Sequence, residues 1–438
     1  MKPNLNPRDI PAFIRGGFSH ARREVGRMRG TNVWTFIMYG LLLDTVNSLW
    51  RPFSAVFLQR LGGGELEIAL LNALPGAVGA LVLLPGAMLF RRFTDKKRAT
   101  AIFILISRAL ILGVALVPML PANVRPLLFI ILLAVMNCPD SLSQTSLQSF
   151  LADVFGSGNQ RGQAIALRTK FGQAIVPVVT ITTGLIITFI PSTDEQRMVL
   201  YQIFFVMAFL FGLAEVAMFR RLRVEDPLEK TEEDKSSPSD WALIPIIIKD
   251  KNFLAFFIPA LIFIFTWQAG WPLVAIHQVM VIEATEMWFA IFSLASGVAA
   301  FASGGLWQKW LRKRGNSWVL VVSAFLLGVN MFFFPITPNV QMMALVSVFA
   351  GFSAIGINAA LLNVVLGATP DENRMVYLAF YNTCTSISLF IAPFFSHMLF
   401  GRFGNTVAMF IVGFMRIGAT ALIWVVFMYR RKAVVEEL

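Results

Sequence analysis

Histidine and cysteine are rare in this chain. Its 438 residues include three histidines and two cysteines. His20, His277 and His397 are too far apart to give the ligand spacing of a metal centre. Cys138 and Cys384 both fall inside apolar stretches, where a thiol behaves as a small apolar group. The sequence therefore predicts no metal site and no cofactor, and the cysteines give no indication of a disulfide.

Charge is scarce as well. Only 14% of the residues are charged and 57% are hydrophobic, and the mean hydropathy of +0.69 does not fit a soluble protein. The sequence has no Gly-x4-Gly-Lys-Ser/Thr motif for ATP, and it lacks the alternating segments of about ten residues that form an outer-membrane barrel. These absences argue against an enzyme, an ATP-driven pump and a membrane barrel.

What the chain does have is a series of apolar stretches, each long enough to cross a hydrocarbon core of ~30 Å as a helix of roughly 20 residues. We predict twelve membrane-spanning helices, called spans 1 to 12, at residues 33–58, 67–90, 99–120, 126–149, 168–190, 198–219, 253–279, 287–307, 317–336, 341–366, 377–400 and 405–429.

The polar segments between these spans divide the chain into five parts. A basic N-terminal segment (1–32) precedes six spans (33–219), a polar linker (220–252), six further spans (253–430) and a short tail (431–438). The N-terminal segment, the linker and the tail are predicted to be cytoplasmic.

The distribution of Lys and Arg predicts the orientation. Of the 37 basic residues, 30 lie in segments on the side of the two termini and four lie on the opposite side. Cytoplasmic loops carry this excess, so both termini are expected in the cytoplasm of a bacterium, with the chain crossing the inner membrane many times. Because the basic residues follow this pattern, we expect contacts with membrane lipids and none with nucleic acid.

The two halves resemble each other in their basic loops. The loop after span 2 reads Arg91-Arg-Phe-Thr-Asp-Lys-Lys-Arg98, and the loop after span 8 reads Gln308-Lys-Trp-Leu-Arg-Lys-Arg-Gly315, 217 residues later. An offset of about half the chain is what a parallel duplication of six spans leaves behind.

With six plus six spans and a long central linker, the chain resembles the major facilitator superfamily. Gly86 and Arg91 match the family's signature after span 2, whereas Phe90 and Phe93 occupy its acidic and second glycine positions. The resemblance implies an all-α membrane fold of two six-helix bundles related by a pseudo-twofold axis along the membrane normal. It also implies a monomer that transports a small molecule, with Arg91 and Asp95 in structural charge pairs.

Four charged residues fall well inside predicted spans, namely Asp44, Arg108, Asp140 and Arg416. A charge facing lipid at that depth costs roughly 2.5–3.5 kcal/mol, so these side chains should face protein or a water-filled cavity. The resemblance implies that spans 1, 4, 7 and 10 line a central cavity. Asp44 and Asp140 lie on such spans, and the two arginines lie on supporting ones.

On span 1, one helical face is the strongest candidate for contact with a solute. Asp44, Asn47 and Arg51 share this face by their spacing of three and four, and Trp50 is adjacent. In one interpretation Asp44 or Asp140 takes up and releases a proton. In the other, Arg108 pairs permanently with one of them.

Two further charges have alternative interpretations. Arg416 could face an anionic group of the solute, or it could bond helix carbonyls or Asn330, because no carboxylate falls in the middle of a span in the second half. Glu215, near the inner end of span 6, is expected to pair with basic residues at the membrane interface.

Span 7 carries Trp267, Gln268 and Trp271, which we predict on one face, and span 10 carries Asn358. Aromatic and amide groups in an apolar cavity suit a partly apolar ligand, although Trp271 also fits a place at the membrane interface.

The sequence thus predicts a secondary active transporter working by alternating access. Proton-coupled export of an amphipathic small molecule is the leading expectation. Import of a polar or anionic solute is the next, and a receptor or sensor that binds without translocating is the third.

Overall fold

The computed structural model describes residues 31–91, 95–155, 158–223, 245, 247–367, 369 and 374–436. The regular structure in these ranges is helical throughout, and no strand occurs within them. This confirms the all-α membrane fold predicted from the apolar stretches.

We number the helices after the predicted spans. The first six spans are formed by α1 (Asn32–Trp50) with its short continuation α1′ (Ser54–Arg60), α2 (Glu65–Arg91), α3 (Lys96–Leu116), α4 (Arg125–Phe155), α5 (Gly158–Phe189) and α6 (Asp194–Arg221). The next four are α7 (Lys251–Ile276), α8 (Glu286–Arg314), α9 (Asn316–Phe333) and α10 (Val340–Gly367).

The last helical stretch, Arg374–Glu436, contains two crossings. Its 63 residues are far too many for one passage, and Gly404 within it has a φ of 74°, which interrupts the helix. We therefore call residues 374–403 α11 and residues 405–436 α12. Ten stretches of the described chain are long and apolar enough to cross a membrane, and the last of them contains both α11 and α12.

The first crossing is not a single α-helix. Between α1 and α1′ the chain forms a 3-10 turn at Arg51–Phe53, with Pro52 near its start. Proline has no backbone N–H and its ring crowds the preceding turn, which explains the change of helix type here. As a result, Arg51 leaves the regular course of α1.

Helix ends differ from the predicted span ends where helices continue beyond the apolar run. The spans predicted at 126–149 and 168–190 are observed as Arg125–Phe155 and Gly158–Phe189. Hydropathy marks the part of a helix that lies in the membrane, and it does not mark the polar turns that extend the helix.

Two helix pairs bring the halves of the chain together. Helix α2 packs on α11, where Gly76 approaches Leu389, and α5 packs on α8, where Gly184 approaches Ala290. Glycines allow these close approaches between helices. Within the first half, α1 contacts α5 and α6, and α3 contacts α4 and α6.

The bundle has two ends, which we name by a residue at each. The Arg60 end holds the connection from α1′ to α2, and the Arg98 end holds the connection from α2 to α3.

Candidate functional site

Asp44 on α1 forms an ion pair with Arg168 on α5. The Arg168 Nη2 atom donates to Asp44 Oδ1 at 2.8 Å. Two glycines make room for this pair: a side chain at Gly40 would overlap Arg168, and one at Gly172 would overlap Asp44 Oδ2. The pair therefore joins α1 to α5 at a place where both helices are glycine-lined.

Arg168 was not among the predicted site residues, because it falls at the edge of the apolar run and was counted as part of a basic cytoplasmic loop. The spacing of charges and glycines on the two helices could have indicated this pair. Gly172 follows Arg168 by four residues and Gly40 precedes Asp44 by four, so each charge has a glycine on its own helical face.

Arg108 on α3 is buried and pairs mainly with Glu215 on α6. Its Nε and Nη2 atoms donate to the two carboxylate oxygens of Glu215 at 2.8 and 3.1 Å. Such a two-pronged contact is the strong form of an ion pair. Glu215, expected to pair with a basic residue, does so with Arg108, and its side chain is 0% exposed. Packing of α6 against α3 places it in the protein interior.

Asp140 on α4 lies between two arginines and is held tightly by neither. Its Oδ2 atom is 3.6 Å from Arg51 Nη2, and its Oδ1 atom is 3.6 Å from Arg108 Nη1. Both distances exceed hydrogen-bond length, and Asp140 Oδ1 is buried without a hydrogen-bond partner. The close partner of Arg108 in this structure is thus Glu215, with Asp140 as a second, looser neighbour.

Arg51 is the most exposed charge in this group, with 49% of its side chain accessible. Its guanidinium lies 5.5 Å from the centre of the Trp50 ring, which is itself buried and packs on Phe205. The turn containing Arg51 also packs against α8 of the other half. The turn containing Arg51 therefore lies at the contact between the halves, and Trp50 packs in the hydrophobic core. Asn47, one turn earlier, is partly buried.

We call six charged residues within the helices of the first half the charge layer. It consists of Asp44, Asp140, Glu215, Arg51, Arg108 and Arg168. Two of its pairs are hydrogen-bonded and close, while the Arg51–Asp140 pair is open and partly exposed.

The second half contributes one buried arginine, Arg416 on α12. It donates to the carbonyl oxygens of Leu327, Thr266 and Trp267 at 3.1, 2.9 and 3.4 Å. Within the described ranges no carboxylate lies at ion-pair distance, and Arg416 Nε has no partner. The neighbouring candidate Asn330 is also buried with both amide atoms unbonded. The contacts favour the helix-carbonyl interpretation of Arg416.

The three candidates on α7 do not share one face. Gln268 is buried against α11, where it donates to the Thr385 carbonyl at 3.2 Å and accepts from Ser388 at 2.6 Å. Trp267 and Trp271 contact each other edge to face, and Trp271 is 43% exposed. The prediction of a common face was wrong for Gln268, because residues 267 and 268 point about 100° apart on a helix. On α10, Asn358 is exposed.

The two candidates after span 2 lie apart from the charge layer. Asp95 caps the start of α3 and pairs with Arg98 at 2.9 Å. The side chain of Arg91 lies outside the described residues.

Polar contacts close the Arg60 end across the two halves. Arg60 Nε donates to Glu286 Oε1 on α8 at 2.6 Å, and the Tyr201 hydroxyl lies 3.1 Å from the same oxygen. The backbone N–H of Met287 donates to Thr188 Oγ1 at 3.0 Å. Glu286 is 1% exposed although it belongs to the first turn of its helix. None of these residues was singled out from the sequence, which does not reveal partners in different halves.

A family model for the Major Facilitator Superfamily matches residues 35–315 and 282–437. A mutant of the nucleoside transporter NupG is similar in structure, with a TM-score of 0.69, 12% identity, and coverage of 91% of this chain and 100% of that chain. A D-xylose-proton symporter has a TM-score of 0.66, 14% identity, and coverage of 90% and 95%. A bacterial homologue of the human lysosomal transporter Spinster has a TM-score of 0.64, 12% identity, and coverage of 90% and 94%. The comparison with curated proteins gives no match.

Proposed function

Because the chain belongs to the major facilitator superfamily, we propose that it is a secondary transporter that carries a polar solute across the bacterial inner membrane. The observation that carries this proposal is the open Arg51–Asp140 pair of the first half, where the turn of Arg51 packs on α8, together with the inter-half contacts that close the Arg60 end. Charged residues inside membrane spans are costly and mark substrate or ion pathways in many membrane proteins.

The transport cycle would use the two halves as moving units, residues 33–219 and 253–430. With both termini in the cytoplasm, the Arg60 end faces outward, so the described state is closed toward the outside. Opening that end requires Arg60 and Tyr201 to part from Glu286, because these residues belong to different halves.

Coupling to protons is part of the proposal, with Asp44 and Asp140 as the candidate carriers. Asp44 has one arginine partner at 2.8 Å, and Asp140 has two arginines at 3.6 Å, beyond hydrogen-bond length. One structural neighbour is a D-xylose-proton symporter, and such coupling in this chain would drive solute and proton inward together.

Uptake therefore replaces the export first expected. The amphipathic solute was expected partly because of Gln268, which is buried against α11, whereas the accessible side chain of Arg51 is charged. The charge layer is better suited to a polar solute.

The test is solute counterflow in proteoliposomes. A solute that stabilises the purified protein in a thermal-shift screen should exchange with its labelled form, and an imposed pH gradient should drive its accumulation. Asp44→Asn or Asp140→Asn should abolish the pH-driven accumulation while counterflow persists. Saturable binding without counterflow would instead identify a receptor, and full accumulation in both variants would exclude these carboxylates as proton carriers.

A further inference from the structure

The accessible arginine of the charge layer suggests which solutes the protein takes. We propose that Arg51 binds an anionic group of the solute, a carboxylate or a phosphate, and that Asp140 occupies Arg51 until that group arrives. This inference rests on the proposed transport function and names its substrate class.

The sharing of carboxylates in the charge layer is the first argument. The layer holds three arginines, Arg51, Arg108 and Arg168, and three carboxylates, Asp44, Asp140 and Glu215, and Asp140 lies between Arg51 and Arg108. Arg51 is therefore less fully compensated than the other two arginines, and an added anion would complete its pairing.

The pairing pattern shows which cation is available. Arg168 is committed to Asp44 and Arg108 to Glu215, both by hydrogen bonds of 2.8 Å. Arg416 is 3% exposed and enclosed by carbonyls. Arg51 alone combines a large exposed fraction with a partner beyond hydrogen-bond length.

The surroundings of Arg51 suit recognition of an anion. A guanidinium presents a planar fork of N–H donors that matches carboxylate and phosphate oxygens. The Arg51 guanidinium lies 5.5 Å from the centre of the Trp50 ring. A side chain held beside a ring loses less conformational entropy when it binds a ligand. The turn packs on α8, so a bound anion would lie next to the second half.

Asp140 then has a defined role. It is 3.6 Å from both Arg51 and Arg108. When the solute's anionic group takes Arg51, Asp140 keeps Arg108 as its neighbour, so no carboxylate is left isolated. Binding is an exchange of one anion for another at Arg51.

The experiment uses thermal-shift binding on the purified full-length protein with probes matched except for charge. The pairs are gluconate with glucose, glucose 6-phosphate with glucose, and succinate with succinamide, and inorganic phosphate is added alone. We expect at least one anionic probe to raise Tm while its neutral counterpart, at the same concentration, does not. The carboxylate and phosphate arms identify which anion is preferred.

Three variants test the assignment to Arg51. Arg51→Gln should weaken binding of the anionic probe about ten-fold or more, because a charge-assisted contact is lost. Arg98→Gln removes the same charge at an exposed position of the Arg98 end and should leave binding unchanged. Asp140→Asn should tighten binding several-fold, since it removes the competing carboxylate.

The last variant separates binding from a purely structural role. If Arg51 only holds Asp140, then Asp140→Asn cannot improve anion binding. The inference is overturned if no anionic probe shifts Tm, if neutral probes bind equally well, or if Arg51→Gln folds and binds as the wild type does.

Failure of the inference and failure of the transport function have different signatures. A neutral solute that shows counterflow without any need for Arg51 supports transport and overturns the inference. An anionic probe that binds through Arg51 but shows no counterflow supports the inference and overturns transport.

Discussion

Arg108 and Arg416 are buried to nearly the same degree, 2% and 3% exposed, yet they are held in different ways. Arg108 has the carboxylate of Glu215, and Arg416 has carbonyl oxygens only. The same substitution should therefore have opposite effects at the two positions.

We predict that Arg108→Met lowers stability by about 3–5 kcal/mol, because Glu215 is left buried without a partner. Arg416→Met should be neutral, or stabilising by up to about 4 kcal/mol, since it removes a buried charge that has no carboxylate. Thermal unfolding of both variants in detergent measures the difference. A comparable loss at both positions would contradict this account of Arg416.

Gly172 gives a second prediction. A methyl group there would overlap the Asp44 carboxylate, so Gly172→Ala should lower stability by roughly 1–2 kcal/mol despite the better helix propensity of alanine. The matched control is Gly297→Ala on α8, where the space around the glycine is open and the change should be neutral or stabilising by up to about 1 kcal/mol. Equal Tm values for the two variants would show that α1 and α5 are not in close contact at the Asp44–Arg168 pair.

For individual residues, the sequence indicates which charges lie inside the spans but not which charges pair. Asp44, Asp140 and Arg108 are recognisable because each interrupts an apolar run. Arg168 was not singled out, and the partner of Glu215 was not predicted, because both residues lie toward the ends of apolar runs and their partners are on other helices. Pairing depends on helix rotation and depth, which hydropathy does not specify.

At the scale of helices, α1′ and α6 of the first half contact the start of α8, and these contacts close the Arg60 end. Glu286 accepts from Arg60 and from Tyr201, so one residue of the second half binds two helices of the first. Arg60 also contacts Asp194 at 3.2 Å, but this pair lies within the first half and does not resist separation.

We expect Glu286→Gln to increase opening of the Arg60 end by about ten-fold, because a charge-assisted bond between the halves is weakened. Hydrogen–deuterium exchange should then become faster in α1′ and in the first turn of α8. Asp194→Asn should leave exchange there unchanged. Equal exchange in wild type and Glu286→Gln would indicate that packing alone keeps this end closed.

The order of the helices was predictable, because most crossings coincide with a long apolar run. The interruption at Arg51–Phe53 and the polar extensions of α4 and α5 were not predicted. Pro52 is a visible cue for the interruption at Arg51–Phe53, but many helices continue through a proline with only a kink.

In the molecule as a whole, the two halves share a fold and differ in charge. The described first half holds the charge layer, whereas the described mid-span charge of the second half is Arg416. An asymmetric site of this kind suggests that the first half supplies the ionic contacts to the solute and the second half moves relative to it.

Transport by alternating access requires the halves to separate at the Arg60 end. A Cβ atom built on Gly184 would lie 2.7 Å from Ala290 Cβ across the halves, and one built on Gly356 would lie 2.7 Å from Ser323 Cβ within the second half. With Cys138 and Cys384 replaced by alanine, the pairs Gly184→Cys/Ala290→Cys and Gly356→Cys/Ser323→Cys could each form a disulfide after a shift of about 1 Å.

The decisive measurement is counterflow in proteoliposomes for both cysteine pairs, oxidised and then reduced. We predict that oxidation stops counterflow in the pair that links α5 to α8 and that reduction restores it, while the pair within the second half remains active in both states. Full counterflow by a protein that is quantitatively crosslinked between Gly184→Cys and Ala290→Cys would contradict alternating access as the mechanism.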